Sequence, residues 1–176
     1  MRRLRQRLAA MGEGGLAAIE FALVAPLLII IYLGSAEVTM ALMAYRKLGN
    51  AAVIAAELAS HSPTIDATTA SRIQQAATAS LAPFDATNFD QRLTAVVVDA
   101  GGVARVEWSV GDGAVALAAG SVVDVPADLS VPDEGIVMAE AWLDYASPAA
   151  FAIPGNWRFT QTHFVYPRIN DRVLWE

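Results

Sequence analysis

The sequence predicts an α+β chain in which a long N-terminal transmembrane helix continues into a small soluble domain with a second helix and an antiparallel sheet. Three patterns carry this prediction. Residues 21–36 contain no charge, and with residues 16–20 the apolar stretch reaches about 20 residues, enough for a hydrocarbon core of about 30 Å. Residues 37–60 are rich in Ala, Leu, Met and Glu, all good helix formers. From Leu93 onward apolar and polar residues alternate with the period of strands. A chain of 176 residues allows one modest domain beside such an anchor.

The first element begins with a cluster of arginines, Arg2, Arg3, Arg5 and Arg7. Basic residues close to a span stay on the cytoplasmic side, so the N-terminus is expected inside and the rest is expected to be translocated, with a single pass. On this reading residues 1–15 are a basic leader and 16–36 the transmembrane half of the first helix. Residues 37–60 are its exposed half, and 61–176 form the soluble α+β domain. Pro26 removes a backbone donor and clashes with the preceding turn, so a kink is expected there. Ala17, Ala18, Ala22, Ala25, Gly34 and Ala36 are small enough for another helix to approach closely in the membrane.

Glu20 departs from an ordinary anchor. A charged side chain costs about 2.5–3.5 kcal/mol at the centre of a span and less near its end, so it either snorkels to the headgroups or serves a partner. A basic leader, Gly15, the apolar Leu16, glutamate at the fifth position after that glycine and an unbroken apolar run together resemble the processing site of type IV prepilins. In the form GGLAAIEFALVAPLLIIIYLG, with Pro26 six residues after Glu20, the stretch is similar to the TadE-like pseudopilins of tight-adherence (Flp) pilus systems. The resemblance implies cleavage by a prepilin peptidase between Gly15 and Leu16 on the cytoplasmic side of the bacterial inner membrane. A glycine at position 15 suits a protease that must draw the backbone into its site.

Cleavage would leave Leu16 with a new α-amino group, whose reference pKa of about 7.7–8.0 keeps it largely cationic near neutrality. The resemblance implies that this amine pairs with Glu20 of an adjacent subunit, because each charge is far costlier in lipid alone than paired. It also implies a pilin-like fold and a role as a minor pseudopilin needed for pilus assembly and surface adhesion. Its partners would be the peptidase, other pilins and pseudopilins, and membrane lipid. The C-terminal domain would be periplasmic or incorporated in the pilus.

The exposed half of the first helix places Val38, Leu42, Tyr45, Leu48, Ala52 and Ala59 near helical spacing, with Arg46, Asn50 and Glu57 elsewhere on the wheel. Ser60-His61-Ser62-Pro63 ends it, since the residue before proline avoids the helical region. A second helix is expected over residues 67–81, with Asp66 as its cap and Pro83 beyond its end.

Strands follow at 93–99 and 103–110, separated by the hairpin signal Ala100-Gly101-Gly102. In the second of these Ala104, Val106, Trp108 and Val110 share one face, and Arg105, Glu107 and Ser109 the other. Residues 114–125 are expected to add a short edge element. A strand over 135–145 places Val137, Ala139, Ala141, Leu143 and Tyr145 on one face, with Glu140 and Asp144 opposite. After a loop with Pro148 and Pro154 comes a last strand over 157–166, and then a polar segment, residues 167–172, expected to be partly mobile. The succession VDVPADL, IVMAEAWLDYASP and FVYPR is also similar to TadE-like domains.

Composition and spacing argue against other classes. Without the first fifteen residues the chain holds eight basic and seventeen acidic residues, a net charge of −9, unsuited to nucleic acid. The absence of cysteine excludes disulfides and thiolate chemistry. His61 and His163 stand far apart and outside any metal-ligand pattern. Asp112 and Asp133-Glu134 lack the alternating ligands of a calcium loop and read as turn residues. Trp108, Trp142, Trp157 and Trp175 suit core packing. No phosphate loop, nucleophile elbow or spaced carboxylate pair occurs, so no catalytic residue, metal or cofactor is expected. The rival reading is a signal-anchored periplasmic binding or accessory domain with an unprocessed tether. Cleavage after the apolar run, near Ser35-Ala36, is the third possibility.

Overall fold

A computed structural model describes the backbone of residues 2–147 and 155–176, the exposure of Gly15, and the side chains of 17–147 and 155–176. The leader arginines, the Leu16 side chain, Pro148 and Pro154 lie outside the described side chains. The architecture is α+β: a long apolar N-terminal helix, a second helix and an antiparallel sheet. Helix α1 spans Arg2–Ser60, so it starts before the expected Leu16. The leader is itself made largely of helix-forming Arg, Leu, Gln, Ala and Met, and three glycines do not outweigh them.

Two compact units divide the chain. Helix residues up to Met40 belong to the first, while the second comprises Ala41–Ala146 and Asn156–Glu176. In the first unit the large apolar side chains from Ile19 to Leu33 are exposed, including Phe21, Leu23, Leu28 and Ile31. Among the described residues α1 is the one helix long and apolar enough to cross a membrane. Apolar side chains standing free around a helix belong in lipid rather than in water.

In the second unit, α1 buries Ala44, Leu48, Ala51, Ala52, Ala55, Ala56 and Ala59. The expected stripe is thereby corrected: Leu42 and Tyr45 are exposed, as is Val38 in the first unit, and the alanines take the interior. Small side chains let the helix axis approach its neighbour closely, which outweighs the greater apolar area of the larger residues. Helix α1 ends at Ser60, as the Ser-Pro break predicts.

A two-residue strand, β1 (Thr64–Ile65), leads into α2 (Ala67–Ser80). Asp66 caps α2: the Thr69 amide donates to Asp66 Oδ1 at 2.7 Å, satisfying one of the otherwise unpaired first-turn donors. Strands β2 (Phe89–Val98), β3 (Ala104–Asp112), β4 (Gly135–Ala146) and β5 (Asn156–Val165) form one antiparallel sheet in the order β3-β2-β4-β5. Strand β6 (Leu174–Trp175) pairs in parallel with β1. Residues 167–172, expected to be partly mobile, are tied to the rest of the unit: the Arg168 amide donates to the Ser60 carbonyl at 2.8 Å, and the Asp171 carbonyl accepts from the Gly135 amide at 3.1 Å. Val173 is buried, and the Glu176 amide donates to the Ile65 carbonyl at 3.1 Å.

Each face of the sheet has its own core. Leu93, Ala95, Trp108, Val137, Ala139, Ala141, Leu143 and Tyr145 pack with the buried faces of α1 and α2. On the other face Val96, Val98, Ala104, Ile136 and Met138 are covered by Val125, with Leu117 and Leu129 beside it. Strand β3 contributes to both, against the single face expected for Ala104 to Val110. The register shifts between Ala95 and Val96, which pair with Trp108 and Val106, so Glu107 is an extra residue and the strand changes face. Residues 114–125 hold no strand. They do supply a short edge contact to β3, one antiparallel bridge between Val122 and Arg105, beside which the Val106 amide donates to the Ser121 carbonyl at 2.9 Å.

Candidate functional site

The residues singled out in the membrane segment lie on one continuous helix. Gly15 is exposed, with nothing within 4 Å of where a Cβ would stand. Glu20 is exposed and has no ion-pair partner among the described residues. It follows Leu16 by four positions, which puts the two on one helical face. Pro26 sits within α1, and the helix continues on both sides of it. The Leu16 side chain is outside the described residues, so the structure brings together Gly15, Glu20 and Pro26 only as positions along one helix.

The soluble unit gathers its own polar side chains. On the sheet face away from the helices, Arg92 Nη2 lies 2.6 Å from Glu140 Oε2, and both side chains are mostly shielded from water. The same guanidinium stands 5.2 Å from the centre of the Trp142 ring. Register explains the cluster, because Arg92 opposes Glu140 directly and Trp142 is two residues further along the same face of β4. At one end of this face Arg158 joins Asp90 at 2.9 Å and Asp144 at 3.1 Å.

Beside Glu140 an open groove of about 480 Å³ runs between β4, β5 and the covering loop. Met138 and Phe164 form its floor, Val125 and Pro126 its wall, and Asp124 its rim. Nearby, Tyr166 donates its hydroxyl to the Leu129 carbonyl at 3.0 Å. Burial pushes the Tyr166 phenol above its ordinary pKa, and the Glu134 and Asp128 carboxylates push it further. Sequence reasoning missed this groove and the Arg92–Glu140 pair. The one signal was the placement of Glu140 opposite the core residues of its strand.

The histidines occupy separate settings. His61 Nδ1 lies 2.8 Å from the Glu57 carbonyl at the end of α1, whereas His163 is mid-strand in β5 opposite Ala139. Asp112 accepts from Gln91 Nε2 at 3.3 Å, and Asp133 holds a left-handed turn with φ of 67°. Among the described residues no three His, Cys, Asp or Glu side chains gather as a metal site would require.

Residues 15–57 match the family model described as TadE-like protein. The matched span begins at Gly15 and includes Glu20, Pro26 and the whole apolar stretch. No curated protein and no solved structure matches the chain.

Proposed function

Starting from its assignment to the TadE-like family through residues 15–57, we propose that the chain is a minor pseudopilin required to assemble a tight-adherence (Flp) pilus, and hence for surface adhesion. The observation that carries this reading is Glu20, an exposed carboxylate in the otherwise apolar stretch 16–36 of α1, without an ion-pair partner of its own among the described residues. A charge in that position is costly in lipid unless an opposite charge meets it. Cleavage between Gly15 and Leu16 by a prepilin peptidase supplies such a charge, the new α-amino group of a neighbouring subunit. Other pilins and pseudopilins are then its partners, and the role is one of packing rather than turnover. The soluble domain lies in the periplasm, and the arginine side of the helix faces the cytoplasm.

N-terminal sequencing of the full chain, extracted from membranes with and without a co-expressed prepilin peptidase, tests the reading. A start at Leu16 that depends on the peptidase is expected. A start at Met1 with the peptidase active overturns it and favours an unprocessed tether, and a start near Glu37 indicates ordinary secretion. Glu20→Ala separates processing from assembly: cleavage should persist while co-assembly is lost.

A further inference from the structure

We propose that the groove on the outer face of the sheet docks the α1 segment around Arg46 and Lys47 of a second copy of this chain. The contact lies wholly within the soluble unit and requires neither cleavage nor Glu20. Two sets of side chains left without partners inside one copy carry the inference.

The first set is acidic. Asp124 is exposed on the rim of the groove, and Asp128, Asp133 and Glu134 follow it in the covering loop. None of the four has an ion-pair partner among the described residues. Of these four only Asp124 lines the groove itself, beside Glu140, which Arg92 already neutralises; with Met138 and Phe164 as its floor, the groove offers apolar area with one unpaired carboxylate at its rim.

The second set is its complement. Arg92, Arg105, Arg158 and Arg168 each have an ion-pair partner within the chain, whereas, like the isolated Arg72 and Arg172, Arg46 and Lys47 have none among the described residues. They are the one adjacent pair of basic residues in the soluble unit. Leu42 and Met43, one turn earlier on the same exposed side, are each 50% exposed. This helix therefore presents apolar side chains followed by positive charge, matching the floor and rim of the groove.

A single copy cannot make the contact with itself, because α1 packs on one face of the sheet and the groove opens on the other. Two copies can, with the groove of one facing the helix of the next. Such a head-to-tail contact leaves a free groove and a free helix at the ends, so it extends into a row. The offset is also fixed. Tyr45 packs on Phe159 and Gly49 lies against Gln161, so α1 rises alongside β5, and Thr162 and Phe164 stand level with residues near 50–54. Setting Arg46 and Lys47 of a neighbour at that level shifts the copies along the helix by about 6–12 Å at 1.5 Å per residue.

The chain contains no cysteine, so single thiols can be placed without background. One full-length copy carrying Ala127→Cys and another carrying Met43→Cys are produced together and oxidised in membranes. A dimer between the two kinds is expected, and a ladder of multimers when one chain carries both changes. Asp124→Arg in the first copy should lower the yield about three- to ten-fold, the scale of replacing an exposed attraction by repulsion. Arg46→Asp in the second copy should restore it. Absence of the mixed dimer, dimers only between like copies, yield indifferent to Asp124→Arg, or no restoration by Arg46→Asp each overturns the proposal. Asp124, Ala127 and Arg46 are exposed, and restoration of the contact shows that both altered copies are folded.

Discussion

Arg92 on β2 and Glu140 on β4 meet at 2.6 Å on the face of the sheet turned away from the helices. Each side chain retains only 16% of its exposure, so the pair is largely desolvated. Removing one charge leaves the other poorly solvated and without its counterion. Glu140→Gln should therefore cost about 1–3 kcal/mol. The urea midpoint of the full chain in detergent measures this, and Arg92→Met combined with Glu140→Gln should cost less than the two changes summed.

Trp108 Nε1 donates to the Val173 carbonyl at 2.7 Å inside the core, and the Trp108 and Trp175 rings lie 5.3 Å apart. Trp108→Phe keeps an aromatic ring but leaves that carbonyl unpaired, at a cost of about 1–3 kcal/mol. The effect should be local as well as global. Limited proteolysis is expected to cut residues 168–176 sooner in the variant than in the wild type, with the remainder of the soluble unit still protected.

Gly135 starts β4 where the chain from Asp171 crosses it. A Cβ at position 135 would stand 2.5 Å from the Asp171 carbonyl oxygen, which already accepts the Gly135 amide at 3.1 Å. Backbone on both sides has little room to yield. Gly135→Ala should destabilise the soluble unit by about 1–3 kcal/mol, read as a lower thermal midpoint.

Acid should weaken the fold through three carboxyls. Hydrogen bonds from Thr69 hold Asp66 below its ordinary pKa of 3.8, and those from Thr87 do the same for Asp85. Asp99 is lowered mainly by the Val103 amide, with Arg105 assisting. A carboxyl whose folded pKa is depressed adds stability above its unfolded pKa and loses it as pH falls through the folded value. Unfolding free energy is thus expected to be level near neutrality and to decline once pH drops below about 4. Asp66→Asn and Asp99→Asn should flatten that decline, which a urea series across pH measures.

Local signals were the ones the sequence revealed. The apolar run, the Asp66 cap and the alternation in β4 each depend on a few neighbouring residues, and the structure forms all three. The spacing of Gly15, Leu16, Glu20 and Pro26 is legible for the same reason. Features set by distant parts of the chain were not. One extra residue, Glu107, turns Trp108 toward the helices while Ala104 stays on the other face, and an alternating pattern is blind to such an insertion. Leu174 and Trp175, at the end of a polar segment, give no strand signal until Thr64 and Ile65 are placed beside them. The groove needs residues near 125, 138 and 164 to converge, which no local pattern announces.

The seam between α1 and the sheet is built largely of methyl groups, and it has a mechanical consequence. Methyls offer shallow relief, so the rod is pressed tightly against its support but is weakly notched along its length. The larger contacts along it are Leu48, buried in the core, Tyr45, which meets Phe159 edge-on at 5.6 Å, and Glu57, which joins Arg168 at 3.1 Å. Tension along the rod would be borne first by these clasps, and whichever yields first decides how far the rod slides before the sheet lets go.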